Sequence, residues 1–128
     1  MVKMVKEESS FEARKAVICF QYVERIKSEL IIASRLLMEM GDLRGDELSG
    51  AKKLLASFMD ALLSEINIAN NVLGLKNFEE ARMRVVGVKE KILADDYAEA
   101  NRRVSEAISF ITTSGQHAAQ VLKQNNLL

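Results

Sequence analysis

The stretch from Leu54 to Leu75, LLASFMDALLSEINIANNVLGL, constrains the fold most, because Asp60 and Glu65 are its only charged residues. At about 100° per residue, its apolar side chains cover well over half of the circumference of a helix. An amphipathic surface helix needs an apolar stripe of only ~100°. We therefore predict an inner helix that neighbouring helices cover on at least two sides, with a narrow polar strip facing water.

The composition favours a single helical domain. The chain has 128 residues with no proline and only six glycines, which is typical of long, uninterrupted helices joined by few turns. A chain of this length can bury a core of its own as one domain. We predict that residues 1–8 form a disordered lead-in and that residues 9–128 form a single helical-bundle domain.

Apolar residues recur at alternating spacings of four and three, which predicts helices over residues 9–40, 47–73, 78–94 and 97–124. Short connections between these segments favour antiparallel neighbours. The expected fold class is therefore all-α, an antiparallel up-down-up-down four-helix bundle with a short third helix. The predicted seam of the third helix is Phe78, Ala81, Val85, Val88 and Ile92. In the first helix, the apolar seam consists of Cys19, Val23, Ile26, Leu30, Ala33, Leu37 and Met40.

Three pairs of residues have the spacing of a capping box, in which a side chain at the helix start and a Glu three residues later satisfy free backbone N–H groups. Glycines at positions 41 and 74 are expected to end the first and second helices. Asp95 and Asp96 interrupt the seam and favour separate third and fourth helices over one long kinked helix, which stays an alternative. The three pairs are Ser9 with Glu12, Asn77 with Glu80, and Asp96 with Glu99.

Charge and cysteine content limit the classes of partner. Eighteen basic and eighteen acidic residues cancel, so the chain as a whole has no electrostatic tendency to bind nucleic acid or an anionic membrane. The single cysteine, Cys19, lies in the apolar seam and is expected to be a small buried hydrophobe. No apolar run reaches the length of a membrane span or a signal peptide. We expect a cytoplasmic protein with no membrane association.

Two polar residues of the second helix are expected to be buried. Glu65 projects into the apolar arc, where an unpartnered carboxylate is costly, so we predict an ion pair or hydrogen bond to a neighbouring helix. The alternative is that Glu65 lines a ligand cavity. Asn70, on the other flank of the arc, could serve in the same way.

No catalytic residues, metal site or cofactor are expected from the sequence. A di-iron centre in a helical bundle needs Glu-x-x-His pairs on two helices, and His117 is the only histidine. Histidine phosphotransfer domains are small four-helix bundles that use one exposed histidine, followed closely by leucine and lysine. Here Leu122 and Lys123 come five and six residues after His117. An ordinary histidine at the edge of the core is therefore favoured over a phosphotransfer site.

Basic residues gather in the third and fourth helices, where acidic residues interleave with them. The pattern favours a solvated helix face, and a nucleic-acid-binding accessory protein that uses these residues is the alternative function. An all-α enzyme or a histidine phosphotransfer-like protein with an unrecognised site is the third. The basic residues are Arg82, Arg84, Lys89, Lys91, Arg102 and Arg103.

The leading prediction is a non-enzymatic interaction or assembly module, because the first helix carries apolar residues beyond its seam. One bundle cannot cover both sides of an outer helix, and a large bare patch is unusual on a soluble monomer. A two-fold homodimer through the first helix is the simplest cover, with Glu24 of one copy meeting Lys27 of the other. Another protein is a possible partner. The predicted interaction residues are Val17, Phe20, Ile31 and Met38, in a band that Ile18, Ile32 and Leu36 widen.

Overall fold

The computed structural model describes the backbone of residues 2–128 and the side chains of residues 12–128. Across this part of the chain there are helices and no strand, which confirms the all-α prediction. A single 3₁₀ turn, Met40–Asp42, follows the first helix. The helices are α1 (Val2–Glu39), α2 (Gly45–Leu73), α3 (Lys76–Val86), α4 (Val88–Leu93) and α5 (Tyr97–Gln124).

The helices form a closed ring around one core. Helix α1 packs along α5, α5 packs against α3 and α4, these two pack against α2, and α2 closes the ring on α1. Two contacts between α1 and α5 give the relative direction of these helices, because a later residue of α1 contacts an earlier residue of α5. Ser34 Oγ donates to Asn101 Oδ1 at 2.8 Å, whereas Cys19 Sγ donates to the carbonyl oxygen of Ser114 at 3.9 Å. These two helices are therefore antiparallel.

Helix α2 is antiparallel to α3 and α4 by the same argument. Near the end of α2, Asn70 Nδ2 donates to Glu79 Oε2 at 2.7 Å, and further back Asp60 accepts from Lys89 Nζ at 3.0 Å. Gly74 ends α2 in the left-handed conformation, with φ of 61°, and its N–H donates to the carbonyl oxygen of Asn70. The predicted glycine stop at this position is thus present.

The predicted apolar seams form the core. All seven residues of the seam predicted for the first helix are buried, including Met40 in the 3₁₀ turn, as are Phe78, Ala81 and Val85 of α3. At Gly115 of α5, an added Cβ atom would lie 2.6 Å from Cγ1 of Val23 on α1. Small residues on α5 therefore let its backbone approach α1 closely.

The prediction that neighbouring helices cover α2 on two sides is confirmed, whereas the prediction that only a narrow polar strip of α2 faces water is wrong. Its neighbours cover two sides, but Leu54, Ile68 and Val72 on the outward flank are 74%, 56% and 55% exposed. The helical period identified the apolar arc correctly, yet the chain has no further helix to place against this flank. The arc therefore exceeds what the bundle covers.

Two boundaries of the third predicted helix also differ from the prediction. The segment begins at Lys76, with Leu75 at the N-cap and no side-chain cap, so the capping pair of Asn77 with Glu80 is wrong. A turn at Gly87 divides the segment into α3 and α4. By contrast, Asp96 caps α5 as predicted, because its side chain accepts from the backbone N–H of Glu99.

The backbone of α1 begins at Val2, whereas we predicted a helix start at residue 9. Ser9 therefore lies inside the helix and not at its N-cap. The side chains of residues 1–11 lie outside the described part of the chain, and the predicted disordered lead-in over residues 1–8 stays a prediction. The first helix ends at Glu39, and the 3₁₀ turn that follows contains Gly41.

Candidate interaction surface

Helix α1 has two exposed apolar flanks, one beside α2 and one beside α5. The flank beside α2 is located by Arg25, whose guanidinium reaches Glu65 of α2. The flank beside α5 is located by Ser34, which hydrogen-bonds Asn101 of α5. Between the flanks, the outermost strip of α1 is polar and includes Gln21 and Ser28. The single apolar band expected from the sequence is therefore divided in two.

The α2-side flank of α1 continues onto α2. Ile18 and Ile32 lie seven residues before and after Arg25, so they share its side of the helix. On α2, Ile68 and Val72 follow Glu65 by three and seven residues and share the side of Glu65. We call the combined surface the α1–α2 face; its exposed apolar residues are Ile18, Ile32, Leu36, Leu54, Ile68 and Val72.

A cluster of three charged side chains lies in the middle of the α1–α2 face. Arg25 Nε forms an ion pair with Glu65 Oε1 that is not aligned as a hydrogen bond, and it lies 3.5 Å from Glu29 Oε1. The Arg25 side chain is 70% exposed, whereas that of Glu65 is only 16% exposed. Glu65 and Asn70 were predicted to be buried, but both are partly exposed, and Glu65 is paired with an arginine that itself faces solvent.

The environment of Glu29 changes its protonation. Burial, followed by a hydrogen bond and charge repulsion from Glu65, raises the pKa of Glu29 from 4.5 to about 7, and Arg25 opposes this rise. Two carboxylates that share one arginine repel each other, so a proton on one of them relieves the repulsion. Near neutral pH the cluster can therefore exist with a net charge close to zero.

The α5-side flank carries the four residues predicted for interaction. Val17, Ile31 and Met38 are exposed, but Phe20 is partly buried and packs against the core. Met38 also lines a shallow depression against the start of α5, together with Tyr97. This flank is narrower than the α1–α2 face, because it does not continue into a comparable set of exposed apolar residues on α5.

Asn70 has a structural role at the corner between α2 and α3. Its amide donates to Glu79 Oε2, and Arg82 donates to both oxygens of the same carboxylate. These bonds lower the pKa of Glu79, with the hydrogen bond from Arg82 as the main cause.

Most of the basic residues that could contact nucleic acid are already paired. Arg84 contacts both Glu80 and Glu106 at 3.1 Å, and Lys89 contacts Asp60 at 3.0 Å. Ion pairs with neighbouring acids offset the positive charge that phosphate binding would need. The remaining pairs are Arg82 with Glu79, Arg102 with Glu99 and Glu106, and Arg103 with Glu99.

Within residues 12–128, no group of three or more His, Cys, Asp or Glu side chains has the geometry to hold a metal ion. His117 is exposed on α5 and lines a cavity with Lys15 of α1. No helix in the described part of the chain is long and apolar enough to cross a membrane.

Comparisons with protein-family models, curated proteins and solved structures found no match. Function must therefore be argued from the surface. The part of the α1–α2 face that lies on α2 was not predicted from the sequence, because Leu54, Ile68 and Val72 were expected to be buried. Glu29 was not predicted either, although the spacing of Arg25 and Glu29 already indicates that both lie on one side of α1.

Proposed function

We propose that this chain is a non-enzymatic interaction module that forms a homodimer through the α1–α2 face. The observation that carries the proposal is the row of six exposed aliphatic side chains on two adjacent helices. Burying such side chains is the main favourable term in protein association. Contiguous apolar patches of several hundred Å² on a folded chain mark interaction sites.

The size of the face suits a second copy of the chain. From Ile18 to Leu36 the face is about 27 Å long, at 1.5 Å per residue. Two neighbouring helices give it a width of roughly 20 Å. The product is on the order of 500 Å² for each copy and about 1,000 Å² for the pair, which reaches the lower limit of a specific interface.

The charges of the face are self-complementary. A two-fold dimer places the same patch against itself, and this patch has both signs at its centre. Arg25 of one copy can therefore face the acidic pair, Glu29 and Glu65, of the other. Because Glu29 can bind a proton near neutral pH, covering the cluster does not require the burial of a full net charge.

A reducing compartment such as the cytoplasm belongs to the proposal, because the single cysteine, Cys19, is buried and unpaired. In such a compartment the folded chain does not use a disulfide for stability. In the proposed dimer, non-covalent association covers the exposed apolar surface, and no covalent cross-link is needed.

Charge substitutions on exposed residues test the proposed interface. Leu54→Glu should shift the chain from dimer to monomer in sedimentation equilibrium, because the change puts two carboxylates into the interface. Leu54 is 74% exposed in a single copy, so the substitution should leave the fold of the monomer intact. Met83→Glu, on a residue that is 50% exposed and outside the face, is the matched control and should stay dimeric.

Met38→Glu tests the flank beside α5, which is the alternative interface. A dimer that is lost in Met38→Glu and kept in Leu54→Glu would assign the contact to Val17, Phe20, Ile31 and Met38 and overturn the α1–α2 face. A dimer that survives both substitutions would exclude both flanks of α1.

A further inference from the structure

The bundle has a cavity of about 490 Å³ where α1 and α5 extend past the corner between α2 and α3. The antiparallel order of the helices brings the first part of α1, the last part of α5 and the start of α3 to the same end. Small side chains of the two long helices line the cavity, namely Ala16 and Cys19 on α1 and Ser114 and Ala118 on α5. The volume is in the range of small-molecule sites.

Ser114 is a buried polar residue without a partner. It is 5% exposed and is the one polar or charged residue found buried in the part of the chain whose side chains are described. Its backbone carbonyl accepts from Cys19, but its hydroxyl makes no hydrogen bond to any described residue. Two other hydroxyls of α5 bond to their own helix, Ser109 to Ser105 and Thr113 to Ser109.

Because the Ser114 hydroxyl has no partner among the described residues and its residue lies on the cavity wall, a bound group that accepts its hydrogen bond would be stabilised there. The Ser114 side chain lines the cavity wall and is positioned to donate to a bound molecule.

The N-terminus of α3 supplies further donors at the same cavity. Leu75, Lys76 and Asn77 all line it, and α3 has no side-chain cap. The first backbone N–H groups with an acceptor inside the helix are those of Phe78 and Glu79, which bond to the carbonyl oxygen of Leu75. Since N–H groups point out of a helix N-terminus, those of Lys76 and Asn77 are available to an anion.

The charges around the cavity also favour an anion. Lys15 and Lys76 line it and form no ion pair with any described residue, and Glu12 is the one acidic residue among the lining side chains of residues 12–128. Burial raises the pKa of the Cys19 thiol, and the positive charge of Lys15 lowers it. The electrostatic potential of Lys15 therefore extends to Cys19 at the cavity wall. The two lysines and one glutamate among these described side chains leave one net positive charge, which a monoanion would balance.

Much of the remaining wall is apolar. Ala118 and Val121 of α5 and Leu75 at the corner give a surface on which a hydrocarbon chain can pack. An inorganic anion would leave this apolar wall exposed to water. A molecule with an anionic head and an apolar tail can bind the donors with its head and pack its tail on the apolar wall.

We propose that this cavity binds a small amphiphilic carboxylate. The carboxylate accepts hydrogen bonds from the free N–H groups at the start of α3 and from the Ser114 hydroxyl, and Lys15 and Lys76 balance its charge. The tail packs on Ala118 and its apolar neighbours. The cavity lies at the end of the bundle, away from the cluster at the centre of the α1–α2 face, so binding does not depend on the proposed dimer.

Titration of the ¹⁵N-labelled full chain with octanoate, followed by ¹H–¹⁵N spectra, tests the site. The amide signals of Lys76 and Asn77 should shift in a saturable way. Octan-1-ol, which lacks the charge, and inorganic phosphate, which lacks the tail, should bind much more weakly. Equal binding of octan-1-ol would overturn the anion site, and equal shifts with phosphate would overturn the role of the apolar wall.

Substitutions assign the roles of individual residues. Lys76→Gln should weaken octanoate binding roughly threefold, the size expected of one charge at a helix N-terminus. Ser114→Ala should weaken it about tenfold through loss of a hydrogen bond to a charged group. Lys53→Gln, on an exposed lysine at the other end of α2, is the matched control and should change nothing.

If Ser114→Ala disturbs the fold, its spectrum will show this, and Lys76→Gln, on an exposed residue, still decides the question. No saturable shift with octanoate in the unmutated chain, or equal affinities in Lys76→Gln and Lys53→Gln, would contradict the proposal.

Discussion

Because α1 and α5 lie close together at Gly115, we predict that Gly115→Ala changes the free energy of unfolding in the direction opposite to the usual one. Replacing glycine by alanine inside a helix normally stabilises it, by about 0.8–1.0 kcal/mol. At Gly115 the new methyl group would lie 2.6 Å from Cγ1 of Val23, well inside van der Waals contact. Val23 is buried and β-branched, so its side chain cannot rotate away easily. We therefore expect Gly115→Ala to destabilise the protein.

The magnitude follows from two opposing contributions. Overpacking a core by a methyl group typically costs about 1–3 kcal/mol. The gain in helix propensity offsets about 1 kcal/mol of this cost, which leaves a net loss of up to ~2 kcal/mol in the free energy of unfolding. Gly50 provides the control, because it lies in α2 and no atom is within 4 Å of its added Cβ. Gly50→Ala should therefore be stabilising.

Urea unfolding monitored by circular dichroism would measure both variants, with and without Val23→Ala. In the Val23→Ala background the clash is gone, so Gly115→Ala should become neutral or stabilising, and the double-mutant cycle should give a coupling of about 1 kcal/mol or more. If Gly115→Ala stabilised the unmutated chain as much as Gly50→Ala, the described packing of α1 on α5 would be wrong.

Two further predictions concern charged residues. The pKa of Glu29 is about 7 in the folded chain and 4.5 in the unfolded chain, so its stabilising effect is complete below pH 4.5 and is lost as the pH rises towards 7. Unfolding free energies measured from pH 4.5 to 8 should show this loss, and Glu29→Gln should flatten it; an unchanged slope would contradict the assignment. Asp96→Ala should cost about 1 kcal/mol through loss of the N-cap of α5, whereas Asn77→Ala, which removes no cap, should cost less than half as much in the same assay.

The sequence predicted the core better than it predicted the surface. The seams of α1 and α3 were correct residue by residue, because the helical period directly identifies which side chains share one side of a helix. The break at Asp95 and Asp96 was also correct, since the spacing changes there and Asp96 is a good cap.

The predictions that were wrong depended on how the helices pack against one another. The period of α2 shows that Leu54 and Val72 are on an apolar arc, but not whether another helix covers that arc. Likewise, Asn77 has the spacing of a capping residue, yet the turn at Gly74 lets α3 begin two residues earlier than predicted, at Lys76. The cavity at Ser114 was not predicted, because it arises from the different lengths of helices that the sequence locates only approximately.

The most direct test of the proposed dimer is the mass of the unmutated chain in solution, measured by light scattering at tens of micromolar protein. We predict a mass near twice the 14.3 kDa of one chain, which falls towards one chain on dilution. A monodisperse species of 14.3 kDa that remains soluble at this concentration would contradict self-association through the α1–α2 face.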